Sequence, residues 1–155
     1  MNNKPSFIIV GGGMAGAIAA QTLREEGFDG SITLFGQEPN LPYERPPLSK
    51  DYLQGNADRD SIFVHPESWY AEHGVDLSLG DAVTSLDPSA RTVTTATGAQ
   101  LRYDKLLLAT GSKPRRLSAP GADLGGVYYL RNVEDSDRIK TEFSRAKRVV
   151  IIGGG

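Results

Sequence analysis

The stretch Phe7-Ile8-Ile9-Val10-Gly11-Gly12-Gly13-Met14-Ala15-Gly16 decides how this chain folds. It joins an apolar run of strand length to a cluster of glycines and then to the start of a helix of small residues. Gly11, Gly13 and Gly16 have the G-x-G-x-x-G spacing of a dinucleotide-binding turn. In that motif the first glycine makes the turn, the second lets a pyrophosphate approach the backbone, and the third lets helix and strand pack closely. The amides and the dipole of the helix N-terminus then favour the anion.

The residues around this turn predict a βαβ unit. We expect a buried parallel strand at Ser6–Val10, a helix at Met14–Glu26 ended by Gly27, and a second strand at Ser31–Phe35. Glu38 lies 22 residues after Gly16, where an acid would bind the hydroxyls of a ribose. The neighbouring Gln37 could also reach the ribose. A solvated glutamate in a loop is the alternative interpretation of Glu38.

The composition restricts the class of protein. The chain has 155 residues, 39% of them hydrophobic and 23% charged, with a net charge of −2, so it can form a core and shows no sign of nucleic-acid binding. No apolar run is long enough to span a membrane. The chain contains no cysteine, which predicts a cytoplasmic location and excludes thiolate catalysis or iron–sulfur ligation by this chain. His65 and His73 have no ligand spacing, so we predict no metal site.

A proline-rich loop follows the βαβ unit, with four prolines between positions 39 and 47. Prolines at this density fix an extended path, which favours a loop that lines a site. A short helix at Leu48–Leu53 with Ser49 as its N-cap follows. Lys50 would then lie near a helix start, which disfavours a cation, and this local conflict indicates a functional residue. A solvated surface lysine is the alternative.

The middle of the chain predicts an insertion and a last strand. We expect a helix at Pro66–His73, a strand at Val75–Leu79 and an antiparallel meander over residues 81–103. Residues Asp104–Gly111 are predicted to form a buried parallel strand. Its Ala-Thr-Gly end would allow a ligand to approach the carboxyl edge of the sheet.

The end of the chain repeats the opening pattern. A strand at Tyr128–Arg131 and a helix at Val133–Ala146 capped by Asn132 are predicted, and Arg148–Gly155 again predicts a strand followed by glycines. We therefore expect an α/β fold: a Rossmann-like domain with a parallel sheet and a β-meander at 1–112, a connector at 113–126, and the start of a second nucleotide-binding domain at 127–155. The chain would be the N-terminal part of a two-nucleotide enzyme.

The segment Pro42-Tyr43-Glu44-Arg45-Pro46-Pro47-Leu48-Ser49-Lys50-Asp51-Tyr52-Leu53 resembles the FAD- and NAD(P)H-dependent ferredoxin reductase family. This family includes rubredoxin reductase, putidaredoxin reductase and the reductase components of aromatic-ring dioxygenases. The resemblance extends in order over the whole chain, from the first glycine motif through the proline loop to the second glycine motif.

The resemblance implies residues for both nucleotides. For FAD they are the pyrophosphate-binding Gly11, Gly13, Met14, Ala15 and Gly16, the ribose-binding Gln37 or Glu38, the phosphate contacts Arg45 and Arg131, the adenine contact Val83, and the lining residues Ala109, Thr110 and Gly111. Many members have an acid at the position of Gln37, so Glu38 would take that role here. Lys50 would contact the flavin ring and serve in catalysis. Gly153 and Gly155 would begin the NAD(P)H motif.

The implied activity is hydride transfer from NAD(P)H to FAD, followed by electron transfer to an iron–sulfur partner, a ferredoxin or rubredoxin, as in an oxygenase system. Two alternatives remain open. One is a related oxidoreductase, similar to monodehydroascorbate reductases or apoptosis-inducing flavoproteins. The other is a non-catalytic nucleotide-binding module, and we expect this shortened chain by itself to be inactive.

Overall fold

The computed structural model describes residues 4–153. Its helices and strands follow the order β1 (Ser6–Val10), α1 (Met14–Glu25), β2 (Ser31–Gly36), a 3-10 helix (Pro46–Ser49), α2 (Asp51–Gln54), a second 3-10 helix (Arg59–Ile62), α3 (Glu67–Glu72), β3 (Val75–Leu79), β4 (Val83–Asp87), β5 (Thr92–Thr95), β6 (Gln100–Arg102), β7 (Lys105–Leu108) and α4 (Val133–Phe143). No helix in this described part is long and apolar enough to cross a bilayer.

The chain divides into two compact units. The first takes the chain up to Glu44 together with Phe63–Gly111, and the second takes Arg45–Ile62 together with the chain from Ser112 onward. The proline loop is thus divided between the units, and its C-terminal part lies with α4.

The first unit contains the predicted parallel sheet. Its strands lie in the order β3-β2-β1-β7. In the register of β1, Phe7 lies opposite Ile32 of β2 on one side and opposite Lys105 of β7 on the other, and all three pairings of the sheet are parallel. The βαβ unit predicted from the glycine motif is therefore confirmed.

Alternating side chains of β1 build two layers of core. Ile9 packs with Ala20 of α1 and Tyr70 of α3, whereas Ile8 packs with Val93 of β5. All five side chains are buried, so helices cover one face of the sheet and residues of the meander cover the other. The meander itself is antiparallel, in the order β4-β5-β6, as predicted.

The last parallel strand differs from its prediction in burial and in length. It ends at Leu108, before the Ala-Thr-Gly segment, and Leu107 and Leu108 are 42% and 59% exposed. Among the described residues β7 pairs only with β1, so its outer edge has no partner strand. The apolar sequence had predicted a strand covered on both sides, which is wrong for this part of the chain.

In the second unit, α4 begins as predicted. The side chain of Asn132 accepts from the amide of Asp135, and the Asp135 carboxylate accepts from the amide of Asn132, which together form a capping box. The helix ends at Phe143 and not at Ala146, and a turn follows it in which the Arg145 amide donates to the Glu142 carbonyl (3.0 Å).

Two further strand predictions in this unit are wrong for the described residues. Tyr128–Arg131 forms no strand, and the amide of Arg131 donates to the Asp135 carboxylate (3.0 Å) in place of a strand partner. Residues 148–152 also form no strand. Val150 and Ile152 are 86% and 77% exposed, since the described part of this unit offers no sheet against which they can pair.

Candidate functional site

The glycine turn joins the carboxyl end of β1 to the start of α1. Gly11 has φ +135°, and a Cβ there would lie 2.0 Å from the carbonyl oxygen of Ala109. A Cβ on Gly16 would lie 2.1 Å from the carbonyl oxygen of Gly11. Both glycines are therefore required by the protein's own backbone, the first by a positive φ and by the end of β7, and the second by the close approach of α1.

Gly13 differs from these two glycines. It is the N-cap of α1 in an extended conformation with φ −105°, and a Cβ there would meet no protein atom within 4 Å. Met14, the first helical residue, is 50% exposed, and the first turn of α1 carries no acidic side chain. The turn thus leaves open space at Gly13, at the N-terminus of α1, and this cradle is suited to the pyrophosphate of a dinucleotide.

The acid predicted to bind a ribose lies just past the end of β2. The Glu38 carboxylate accepts a hydrogen bond from the phenol of Tyr43, a buried residue of the proline loop. The backbone carbonyl of Glu38 also accepts from the amide of Gly80 (3.1 Å). The second candidate, Gln37, is exposed. Of the two, Glu38 has the side chain whose position a buried residue fixes.

The Ala-Thr-Gly segment lies beside the glycine turn. The amide of Ala109 donates to the Val10 carbonyl (2.8 Å), which continues the pairing of β7 with β1 by one residue. Thr110 is exposed, and Gly111 has φ +67°. The first unit therefore brings this segment to the carboxyl edge of its sheet, where open α/β sheets bind ligands. Val83 begins β4 opposite Thr95 and packs in the core cluster under the meander.

In the second unit the structure brings together the two predicted phosphate contacts. Arg45 donates through Nη1 to the backbone carbonyl of Arg131. The amide of Arg131 is in turn held by Asp135 of the capping box. The guanidinium of Arg45 thus lies against the backbone of Arg131, a residue 86 positions later in the chain.

Lys50 lies between the 3-10 helix and α2 and is exposed. Its amide donates to the Pro47 carbonyl (2.9 Å) and its carbonyl accepts from the Gln54 amide (3.0 Å). The N-cap of α2 is Lys50 itself, so the prediction that Ser49 caps this helix is wrong. The Ser49 hydroxyl instead donates to the Pro46 carbonyl (3.4 Å), because Ser49 is the last residue of the 3-10 helix and not the cap of α2.

The contacts that α4 makes with residues 48–52, which directly follow the proline loop, were not predicted from the sequence. The Ser136 hydroxyl donates to the Leu48 carbonyl (2.8 Å), and Ser136 is fully buried. The Tyr52 phenol donates to the Asp137 carboxylate (2.6 Å). Burial, together with this hydrogen bond, raises the pKa of Tyr52 to about 12. One feature of the sequence could have indicated the contact of Ser136. It lies three residues after the apolar Val133, so the two side chains lie on the same face of α4.

The second glycine motif is described only in part. Gly153 has φ +83°, and a Cβ added to it would meet no protein atom within 4 Å. Gly155 lies outside the described residues. Within residues 4–153 no group of three or more His, Asp or Glu side chains could hold a metal ion.

Comparison with known proteins gives consistent matches. Residues 5–155 match the family described as pyridine nucleotide-disulphide oxidoreductase. The chain is 41% identical over 150 residues to rhodocoxin reductase of Rhodococcus erythropolis, covering 97% of this chain and 35% of that protein. It is 39% identical over 150 residues to rubredoxin-NAD(+) reductase of Pseudomonas putida, covering 97% and 39%.

A solved structure, the covalent putidaredoxin reductase–putidaredoxin complex, matches with a TM-score of 0.84 and 37% identity over 91% of this chain and 34% of that chain. The chain thus spans between about a third and two fifths of the length of these proteins. The resemblance to ferredoxin reductases that the proline loop indicated is confirmed.

Proposed function

Because the chain belongs to the pyridine nucleotide-disulphide oxidoreductase family, we propose that it forms FAD-binding parts of an oxidoreductase. The whole protein would pass electrons from NAD(P)H through FAD to a ferredoxin or rubredoxin. The observation that carries the proposal is the combination of the open cradle at Gly13 with the segment after the proline loop, residues 48–52, which α4 holds in place. The relatives named rhodocoxin reductase and rubredoxin-NAD(+) reductase support the choice of acceptor.

In this proposal the first unit holds the adenosine and pyrophosphate parts of FAD. The amides of Met14 and Ala15, in the first turn of α1, would bind the pyrophosphate. The Glu38 carboxylate would accept hydrogen bonds from the hydroxyls of the ribose. Tyr43 would fix the direction of the Glu38 carboxylate. Val83 and the segment Ala109–Gly111 would line the dinucleotide, as the resemblance implies.

The second unit supplies charge. Arg45 and Arg131 would neutralise the phosphates, and Lys50 would place a cation at the flavin ring. The bound FAD supplies the chemistry of accepting a hydride and giving up single electrons. A cation held at Lys50 would stabilise the negative charge that the ring gains on reduction. Gly153 and Gly155 would begin the NAD(P)H site.

We also propose the domain boundaries predicted from the sequence, with FAD binding at 1–112, a connector at 113–126 and the NAD(P)H domain from 127. A cytoplasmic location is part of the proposal, since the chain contains no cysteine.

The experiment uses the protein expressed from its complete reading frame. We expect a flavin absorbance spectrum after purification, reduction of that flavin by NADH or NADPH, and electron transfer to a [2Fe-2S] ferredoxin or to rubredoxin. Monodehydroascorbate serves as the competing acceptor. A colourless protein that does not bind added FAD would refute the proposal and favour a non-catalytic module. Reduction of monodehydroascorbate alone would instead refute the choice of acceptor.

A further inference from the structure

We propose that α4 positions Lys50, by holding the backbone two residues before it and the side chain two residues after it. Ser136 and Asp137, neighbours on α4, make these two contacts, with Leu48 and Tyr52. The inference rests on the proposed function, because the role of Lys50 at the flavin belongs to that proposal. It assigns to α4 a part in the flavin site that the glycine motifs do not indicate.

The first contact joins two buried groups. The Ser136 hydroxyl donates to the Leu48 carbonyl at 2.8 Å, and the two residues are 0% and 2% exposed. A serine inside a helix usually faces solvent or bonds to its own helix. The Ser136 hydroxyl instead donates outside its own helix, to a carbonyl of the 3-10 helix that precedes Lys50. A buried carbonyl that lost this donor would be costly, so the contact fixes the backbone at Leu48.

The second contact lies on the other side of Lys50. The Tyr52 phenol donates to the Asp137 carboxylate at 2.6 Å, and Tyr52 is 6% exposed. Arg59 strengthens this anchor, with Nη1 3.2 Å from Asp137 and Nη2 3.1 Å from Glu134. The two acidic side chains and the arginine join α4 to the far end of the same segment.

Lys50 is therefore held in the backbone and exposed in the side chain. Its own amide and carbonyl are both bonded, to Pro47 and Gln54, inside the segment that α4 holds. The capping box at Asn132 fixes where α4 begins, and so which residues of α4 face this segment. Because the backbone of Lys50 is already ordered, ligand binding costs less conformational entropy at this residue.

The first test needs no FAD. Trypsin cuts after lysine, so cleavage of the ligand-free protein between Lys50 and Asp51 reports opening of this segment. We expect Ser136→Ala and Tyr52→Phe each to speed this cleavage by roughly tenfold, the upper range for one hydrogen bond. Ser144→Ala is the matched control, because the Ser144 hydroxyl donates to Thr141 at the C-terminal end of α4 and not to the segment around Lys50, so its loss should leave the rate unchanged. Equal cleavage in all three variants and the wild type would overturn the inference.

The second test uses the FAD-loaded protein and measures the midpoint potential of the flavin. Lys50→Met should lower the potential, and Tyr52→Phe should lower it in the same direction by a smaller amount. In the double variant the potential should equal that of Lys50→Met alone, since Tyr52 acts through Lys50. Additive shifts, or a shift for Tyr52→Phe with none for Lys50→Met, would overturn the positioning role.

The two tests separate this inference from the proposed function. The proposed function is refuted if the wild-type protein binds no FAD, or if NAD(P)H does not reduce its bound flavin. Either result also refutes the role of Lys50 at the flavin. Normal reduction in the wild type with unchanged cleavage in both anchor variants overturns only the role of α4.

Discussion

Replacing Gly13 by alanine separates ligand binding from folding in the glycine turn. A Cβ at this position meets no protein atom within 4 Å, and φ −105° is open to any residue. Alanine is a poorer N-cap than glycine by an amount of order 0.5–1 kcal/mol, but it reduces the entropy of the unfolded chain by a similar amount. We therefore expect the free energy of unfolding to change by less than about 0.5 kcal/mol.

The expected effect on FAD is much larger. The methyl group would occupy the open space at Gly13 and hold a phosphate oxygen away from the N-terminus of α1. Losing one hydrogen bond to a charged group costs about 2 kcal/mol, which raises the dissociation constant roughly 30-fold. Gly16→Ala should behave differently, because its Cβ would lie 2.1 Å from the Gly11 carbonyl and would displace α1, at a cost of about 2 kcal/mol or more in stability.

The assay is a titration of the apoprotein with FAD, followed by quenching of flavin fluorescence, beside a thermal melt followed by circular dichroism. Gly125→Ala is the matched control, since a Cβ there also meets nothing within 4 Å and its φ is not positive. It should leave the affinity for FAD unchanged and raise the free energy of unfolding by at most about 1 kcal/mol, because alanine lowers the entropy of the unfolded chain. Wild-type affinity in Gly13→Ala would refute the reasoning, and so would a loss of affinity accompanied by a loss of stability as large as that of Gly16→Ala.

Three further predictions concern single side chains. Tyr43→Phe removes the hydroxyl that donates to Glu38, and should weaken FAD binding severalfold, while binding of FMN, which has no adenosine ribose, stays unchanged; equal losses for both flavins would contradict it. Arg24 donates to four backbone carbonyls at 2.6–2.8 Å. Arg24→Lys keeps the charge but loses the forked guanidinium donors, so it should lower the free energy of unfolding by about 2 kcal/mol. Urea unfolding measures this change, and an unchanged midpoint would contradict the prediction. The Tyr70 hydroxyl is buried with no hydrogen-bond partner among the described residues, so Tyr70→Phe should stabilise the fold by about 1 kcal/mol, and a destabilised variant would show that the hydroxyl has a partner.

The parts of the fold set by local rules were predictable. β1, the turn, α1 and β2 follow from one apolar run, three glycines and a helical period, and their bounds differ from prediction by one residue at most. The antiparallel meander follows from alternating threonine and valine residues with turns between them. The start of α4 follows from Asn132, which the sequence predicts as its N-cap; the structure adds a capping box with Asp135.

Other parts depended on partners that no local rule supplies. Leu107 and Leu108 have the composition of a buried strand, yet they are exposed, because burial depends on which elements cover the two faces of the sheet at β7. Residues 148–152 have the composition of a strand as well, and they form none because no partner strand is described beside them. Ser136 and Asp137 lie 88 and 85 residues from Leu48 and Tyr52, the residues they bond, which is beyond the reach of any motif with fixed spacing.

The division of the proline loop between the two units has a practical consequence. The segment Arg45–Ile62 leaves the first unit at Glu44 and returns at Phe63. Its exit and its return are already joined: Tyr43 and Phe63 form an antiparallel bridge, and the amide of Val64 donates to the Pro42 carbonyl at 2.9 Å. A short link in place of this excursion would therefore yield a minimal first unit without a cut in its sheet, in which the glycine turn can be studied apart from the arginines and the lysine.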